Sequence, residues 1–88
     1  MTIKQLERVL KALANKRRLE ILEYLKNINK ASVGDIASKI KLSLKATSKH
    51  LSVLFSADIV EKEQVNVAVF YRHAKNQDPL TEKLINLL

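Results

Sequence analysis

At 88 residues the chain has room for one domain, residues 1–88, and none for a second. A domain this small buries only ~60–65% of its unfolded surface and gains from a metal, disulfides or a partner subunit; it has no cysteine, which excludes disulfides, thiolate metal sites and thiol redox sensing and leaves oligomerisation. The net charge of +7 is uneven, with 12 Lys or Arg against 4 Asp or Glu in residues 1–57 and 4 against 5 in residues 58–88, as expected of a face for a polyanion or of a lysine-rich solvated surface.

In chain order, Ile3, Leu6, Val9, Leu10 and Leu13 recur at helical spacing among Lys4, Glu7, Arg8 and Lys11, and predict an amphipathic first helix over 3–14. Asn15 is the predicted N-cap of a second helix with a stripe of Leu19, Leu22 and Leu25, Ile21 beside it and Ile28 close by. Asn27 to Lys30 break the pattern. Ser32 followed by Asp35 resembles a capping box and opens a short third helix through Val33, Ile36, Ala37 and Ile40. After only Lys41 and Leu42, Ser43 caps a fourth helix reaching about Ala57, with Leu44, Thr47, Leu51, Leu54 and Phe55 predicted to face inward. Two helices joined by so short a turn make a helix-turn-helix.

The period then changes from helical to alternating. Ile59–Gln64 and Val67–Arg72 are rich in β-branched and aromatic residues around Val65-Asn66, and predict a hairpin. Asp78 as cap, Pro79 at the first helical position and Leu80, Leu84, Leu87 and Leu88 on one side predict a terminal helix. The fold class is therefore mainly α with a small β-hairpin, a winged helix-turn-helix in the order ααααββα. Every apolar stretch is interrupted by charge within a few residues, so neither a signal peptide nor a spanning segment is expected, and the expected location is cytoplasmic without membrane contact.

Three ungapped segments carry a family resemblance. Leu10-Lys-Ala-Leu-Ala-Asn15-Lys-Arg-Arg18-Leu19-Glu-Ile21-Leu22 resembles the L-x-A-L-A-D-P-x-R-L-x-I-L opening of ArsR/SmtB-type winged-helix regulators, with Asn15 for Asp and Lys16 for Pro. Leu42-Ser43-Leu-Lys-Ala46-Thr-Ser48-Lys-His50-Leu51-Ser-Val53-Leu54 resembles their L-S-x-x-x-V-S-x-H-L-x-x-L recognition helix. Ala57-Asp-Ile59-Val60 stands for A-G-L-V and Val69-Phe70-Tyr71 for V-Y-Y. The resemblance covers residues 10–72 and implies a homodimeric, DNA-binding transcriptional repressor, on the nucleoid when bound to DNA.

On the fourth helix Lys45, Ser48, Lys49 and Ser52 share the face opposite the apolar stripe and are the predicted groove-reading residues, a solvated outer face being the alternative. Lys39, Lys41 and Ser43, around the preceding turn, are predicted phosphate contacts. His50 lies beside the reading face, where packing or a phosphate contact is expected rather than a metal. Lys62 and Arg72 are the wing's cations, although Glu61 and Glu63 would repel phosphate: either these acids point away from DNA or the wing contributes little.

The resemblance further implies pairing of the first and last helices across a two-fold, which makes Leu6, Leu10, Leu13, Leu80, Leu84, Leu87 and Leu88 the predicted dimer interface. Folding of the last helix back onto its own domain is the alternative. Relatives that sense metal use a Cys-x-Cys pair where Ser32 and Gly34 stand here, or a His/Asp site near His73, where only Asp78 and Glu82 are at hand. No metal or other cofactor is expected, and the effector, if one acts, is unspecified. The rival to DNA binding is a winged-helix module for protein–protein association, suggested by the acidic, apolar wing. An enzyme is not expected: no nucleophile triad, phosphate-binding glycine loop or paired carboxylate is present.

Overall fold

The computed structural model describes residues 1–88. Helix α1 (Ile3–Leu13) begins at a reciprocal capping box, Thr2 taking the Gln5 amide at 3.1 Å while the Gln5 side chain takes the Thr2 amide at 2.9 Å. The predicted caps Asn15, Ser32, Ser43 and Asp78 open α2 (Lys16–Ile28), α3 (Val33–Ile40), α4 (Leu44–Ser56) and α5 (Pro79–Asn86) by accepting backbone amides of Arg18, Asp35, Ala46 and Leu80.

The residues that interrupt the helical pattern hold a strand. Asn29, at a φ of 70°, ends α2 and turns the chain into β1 (Lys30–Ser32). This strand pairs antiparallel with β3 (Ala68–His73), and β3 pairs with β2 (Val60–Val65), giving a three-stranded sheet of order β1-β3-β2. The element order is thus ααβααββα, the predicted series with one short strand added. The hairpin turn is Asn66-Val67, one residue beyond the predicted Val65-Asn66, with Asn66 supplying the positive φ of 57°.

Both ends of the helix-turn-helix close in the same way. At the end of α3, Lys41 is left-handed at a φ of 57°, and the Leu42 amide reaches back to Ala37 O. At the end of α4, Asp58 is left-handed at 59°, and the Ile59 amide reaches back to Leu54 O. Both are Schellman closures, for which glycine is the ordinary residue. Asp58 stands where the quoted family pattern has Gly, and Asp is among the few residues that tolerate the geometry.

The core is built around Ile21, Leu22 and Leu25 of α2, each at most 1% exposed. Val9, Ala12 and Leu13 of α1, Ile36 and Ile40 of α3, Leu51 and Leu54 of α4, and Ile59, Val60, Tyr71 and Ile85 close over them. Thr47 is also fully buried, and its hydroxyl has no hydrogen-bond partner. Two residues predicted to face inward do not: Leu44 is 60% and Phe55 42% exposed. They lie at the margin of the buried stripe, rotated toward Ser48 and away from the core. No helix is long and apolar enough to cross a membrane.

Candidate nucleic-acid interface

Burial of Thr47, Leu51 and Leu54 fixes the rotation of α4 about its axis, and everything on the opposite side is thereby turned outward. Lys45, Ser48, Lys49 and Ser52 are all exposed there, and none of them engages another side chain in a hydrogen bond or ion pair. Lys39 near the end of α3 and Lys41 in the turn are exposed and unpaired as well. The Ser43 oxygen accepts from the Ala46 amide at 3.1 Å, which leaves its proton free to donate. While Lys39 borders a hollow beside Glu20 and Glu23 of α2, Lys45, Ser48, Lys49 and Ser52 share one side of α4, with Lys41, Ser43 and the helix N-terminus at its start.

His50 is half-buried at the edge of this surface, and its Nδ1 lies 3.3 Å from Nη1 of Arg18. Burial foremost, then the positive charges of Arg18 and Arg17, lower its pKa below the ordinary imidazole value. Arg17 and Arg18, at the start of α2, escaped the sequence reading as site residues, because their partners lie 23 and 32 residues away. Arg17 donates to Ile40 O at 2.6 Å and so braces the end of α3 and the helix-turn-helix turn.

The wing resolves into two faces. On the outer one Arg72 donates to Glu61 at 2.8 Å and to Glu63 at 2.6 Å, with the Lys30 ammonium 3.6 Å from Glu63 and 5.4 Å from the Phe70 ring centroid. Arg72 and Lys75 hold the Glu61 carboxyl below its ordinary range, the Arg72 hydrogen bond being the largest effect. The two acids are therefore compensated within the sheet. Arg72, predicted as a cation for phosphate, is the counterion that compensates them. Lys62 points to the other face, its ammonium 4.5 Å from the Phe55 ring centroid, which clasps β2 to α4. At the tip Val67 is 97% exposed, with Val65 and Val69 partly so.

The predicted interface leucines divide. Leu13 belongs to the core of its own domain and Leu84 packs against that core, while Leu6 is half-buried. Leu10, Leu80, Leu87 and Leu88 are exposed, together with Ile3. Helix α5 folds back onto its own domain through the buried Thr81 and Ile85, the reading given as the alternative, and leaves Leu80 and its C-cap Leu87 exposed. Between α1, α2 and α5 opens a wholly apolar cleft of about 220 Å³ lined by Leu13, Leu19, Leu84, Ile85, Leu87 and Leu88.

The donor set does not suit a metal. No three His, Cys, Asp or Glu side chains come together. His73 has both ring nitrogens engaged, Nε2 at 2.9 Å from Leu22 O and Nδ1 at 3.3 Å from the Gln77 amide. Asp78 is occupied as the α5 cap.

Comparison with known proteins agrees with this geometry. The family model for bacterial regulatory proteins of the arsR family matches residues 15–62. The transcriptional activator HlyU of Vibrio cholerae serotype O1 is 43% identical over 63 residues, covering 72% of this chain and 57% of that protein, so the match spans little more than half of that relative. The structure of reduced HlyU from Vibrio cholerae superposes with a TM-score of 0.82 at 35% identity, over 97% of this chain and 85% of that one. A homodimeric winged helix-turn-helix DNA-binding domain from Mycobacterium bovis, described as a possible ArsR-family transcriptional regulator, superposes with a TM-score of 0.84 at 34% identity, over 97% and 75%. The family and these relatives are regulators, not enzymes. The chain is a winged helix-turn-helix member of the arsR family of bacterial regulatory proteins.

Proposed function

We propose that the chain is a sequence-specific DNA-binding transcriptional regulator that acts as a homodimer on an inverted-repeat operator. The observation that carries this reading is the outer face of α4: Lys45, Ser48, Lys49 and Ser52 stand exposed without side-chain partners, opposite the buried Thr47, Leu51 and Leu54. Lysine and serine at this position donate to guanine acceptors or to phosphates. Lys39, Lys41 and Ser43 are phosphate contacts, His50 adds a ring donor at the edge of that face and Lys62 the wing's available cation, while Arg72 acts through the wing's structure.

Dimerisation rests on the exposed Ile3, Leu10, Leu80 and Leu87 of α1 and α5 and on the apolar cleft beside them, surface that a lone subunit leaves in water. The similar Mycobacterium bovis domain is homodimeric. A two-fold sets two recognition helices about one helical turn of DNA apart, ~34–36 Å, so the target is an inverted repeat. The sign of regulation depends on where the operator lies relative to the promoter. Repression is what the family resemblance implies, whereas the similar Vibrio cholerae protein is an activator. A DNA partner makes the cytoplasm the place of action.

Selection of bound duplexes from a random library tests the reading, and an inverted repeat is the expected product. On that duplex Lys45→Ala and Lys49→Ala each weaken binding and lower the salt dependence, by about one phosphate's worth per lysine lost. Unchanged binding by both variants would remove α4 from the interface. Absence of binding at ~50 mM salt, with a protein partner recovered on Val65, Val67 and Val69 of the wing tip, would favour the protein-association reading instead.

A further inference from the structure

Arg18 lies on the first turn of α2, and its guanidinium reaches two other helices at once. Nε donates to Ala12 O at 2.6 Å and Nη2 to Lys11 O at 3.1 Å, both at the C-terminal end of α1. Nη1 faces Nδ1 of His50 on α4 at 3.3 Å. Arginine has only donors, so this contact makes Nδ1 the acceptor and leaves the ring proton on Nε2.

We propose that Arg18 is a positioning residue for DNA recognition, which holds His50 as a neutral imidazole whose Nε2–H is the donor offered to DNA and ties that ring to the end of α1. The proposal rests on the DNA-binding reading above. Sequence places His50 on α4 one residue beyond Lys49, and burial leaves it half-exposed at the border between the core and the reading face. A ring free to turn there could present either nitrogen, as donor or acceptor, and could take up a proton near neutral pH. Three hydrogen bonds from one rigid fork remove that freedom, because the fork is anchored on two α1 carbonyls before it meets the ring. Lys49 adjoins His50 on α4, Glu7 and Glu20 are taken up by Lys11 at 3.8 Å and by Arg17 at 3.3 Å, and the charges that bear on the ring are the guanidinium groups of Arg18 and Arg17. They oppose protonation, as burial does. His50 thus presents a donor without a charge, suited to a phosphate oxygen or to the acceptors of guanine, and its contact changes less through neutral pH than that of a freed ring.

Two linked measurements test this. In the free protein, titration of the His50 ring signals by NMR is expected to fall below the ordinary imidazole range of about 6.5, and in Arg18→Met to return toward it. On the selected duplex at fixed salt, wild-type affinity is expected to change less between about pH 7.5 and 6 than that of Arg18→Met, because the lowered pKa leaves less of the ring protonated. Arg18→Met is expected to bind more weakly at pH 7.5 and to recover several-fold by pH 6, as a freed His50 gains charge beside phosphate, and adding His50→Gln abolishes the recovery. Arg18→Lys keeps the charge and loses the fork, and is expected to weaken binding as Arg18→Met does. An ordinary His50 titration in the wild-type protein overturns the proposal, whether or not any variant folds. So does an Arg18→Met protein with an unaltered His50 titration and a level pH profile. If the wild type binds no duplex at any pH, the DNA-binding reading falls, while the ring titration still reports on the Arg18 contact.

Discussion

Arg72 donates to Glu63 at 2.6 Å across the β2–β3 pair, and the same guanidinium holds Glu61 at 2.8 Å. A wing that looks acidic in sequence is therefore charge-compensated in space, with its largest cation spent inside the sheet. Replacing both acids, Glu61→Gln with Glu63→Gln, removes two negative charges per subunit and frees Arg72. The expected result is tighter DNA binding and a steeper salt dependence, by about one phosphate contact per freed cation. Arg72→Ala leaves two uncompensated carboxylates and is expected to weaken binding. Fluorescence anisotropy between ~50 and ~200 mM salt reads both changes, and two variants indistinguishable from wild type would place the wing away from DNA.

Thr47 carries a fully buried hydroxyl with no partner, at the position where the quoted family pattern has Val. An unsatisfied buried hydroxyl costs about 1–3 kcal/mol, and Val fills nearly the same volume without it. Thr47→Val is expected to stabilise the protein by ~1 kcal/mol, seen as a rise of ~4–8 °C in the thermal midpoint of a domain this size. A lowered midpoint would mean that the hydroxyl has a partner in solution.

Lys41 holds a left-handed conformation at the end of α3, a geometry that costs a residue bearing a Cβ about 1 kcal/mol relative to glycine. It also stands among the proposed phosphate contacts. Lys41→Gly is therefore expected to raise stability in urea by ~0.5–1 kcal/mol while weakening DNA binding. Loss of both together would show that Lys41 stabilises the turn by some contact of its side chain.

Leu10 and Leu87 are 47% and 82% exposed, so in a lone subunit a charge at either position changes stability little, within about 0.5 kcal/mol. In a dimer that covers them, Leu10→Lys or Leu87→Glu buries an unpaired charge. Sedimentation equilibrium is expected to find the wild type dimeric and both variants shifted to monomer. Dimers that persist in both would move the interface off α1 and α5.

His50 and His73 both have pKa values lowered, with burial the largest cause in each. The unfolded chain therefore binds protons that the folded one refuses. That share of stability is complete above the ordinary imidazole value of about 6.5 and is lost as pH falls from there toward the folded values. The thermal midpoint is expected to decline between about pH 7 and 5, less steeply in His73→Gln, whose amide can still donate to Leu22 O. An equally steep decline in that variant would assign the effect to other groups.

Much of the local structure was legible in the chain itself. Asn15, Ser32, Ser43 and Asp78 cap the helices predicted from them, because a cap is a bond between a side chain and an amide two or three residues on. The outward face of α4 was legible for the same reason, since helical period ties Lys45, Ser48, Lys49 and Ser52 to one side once the buried stripe is known. The strand Lys30–Ser32 was not. Three residues with no β-branched side chain carry no periodic signal, and they extend only because β3, some 40 residues later, offers an edge to pair with.

By itself, then, the sequence determined the helices, the caps Asn15, Ser32, Ser43 and Asp78, the hairpin and the polar face of α4, all of them consequences of neighbours a few residues apart. The tertiary structure alone decided which apolar residues are covered, leaving Leu44 and Phe55 exposed and drawing Leu13 into the core. It also decided which charges remain free, pairing Arg72 with Glu61 and Glu63 and sending Arg18 to His50. Burial and ion pairing depend on what other elements bring within a few ångströms, and spacing along the chain does not encode that distance.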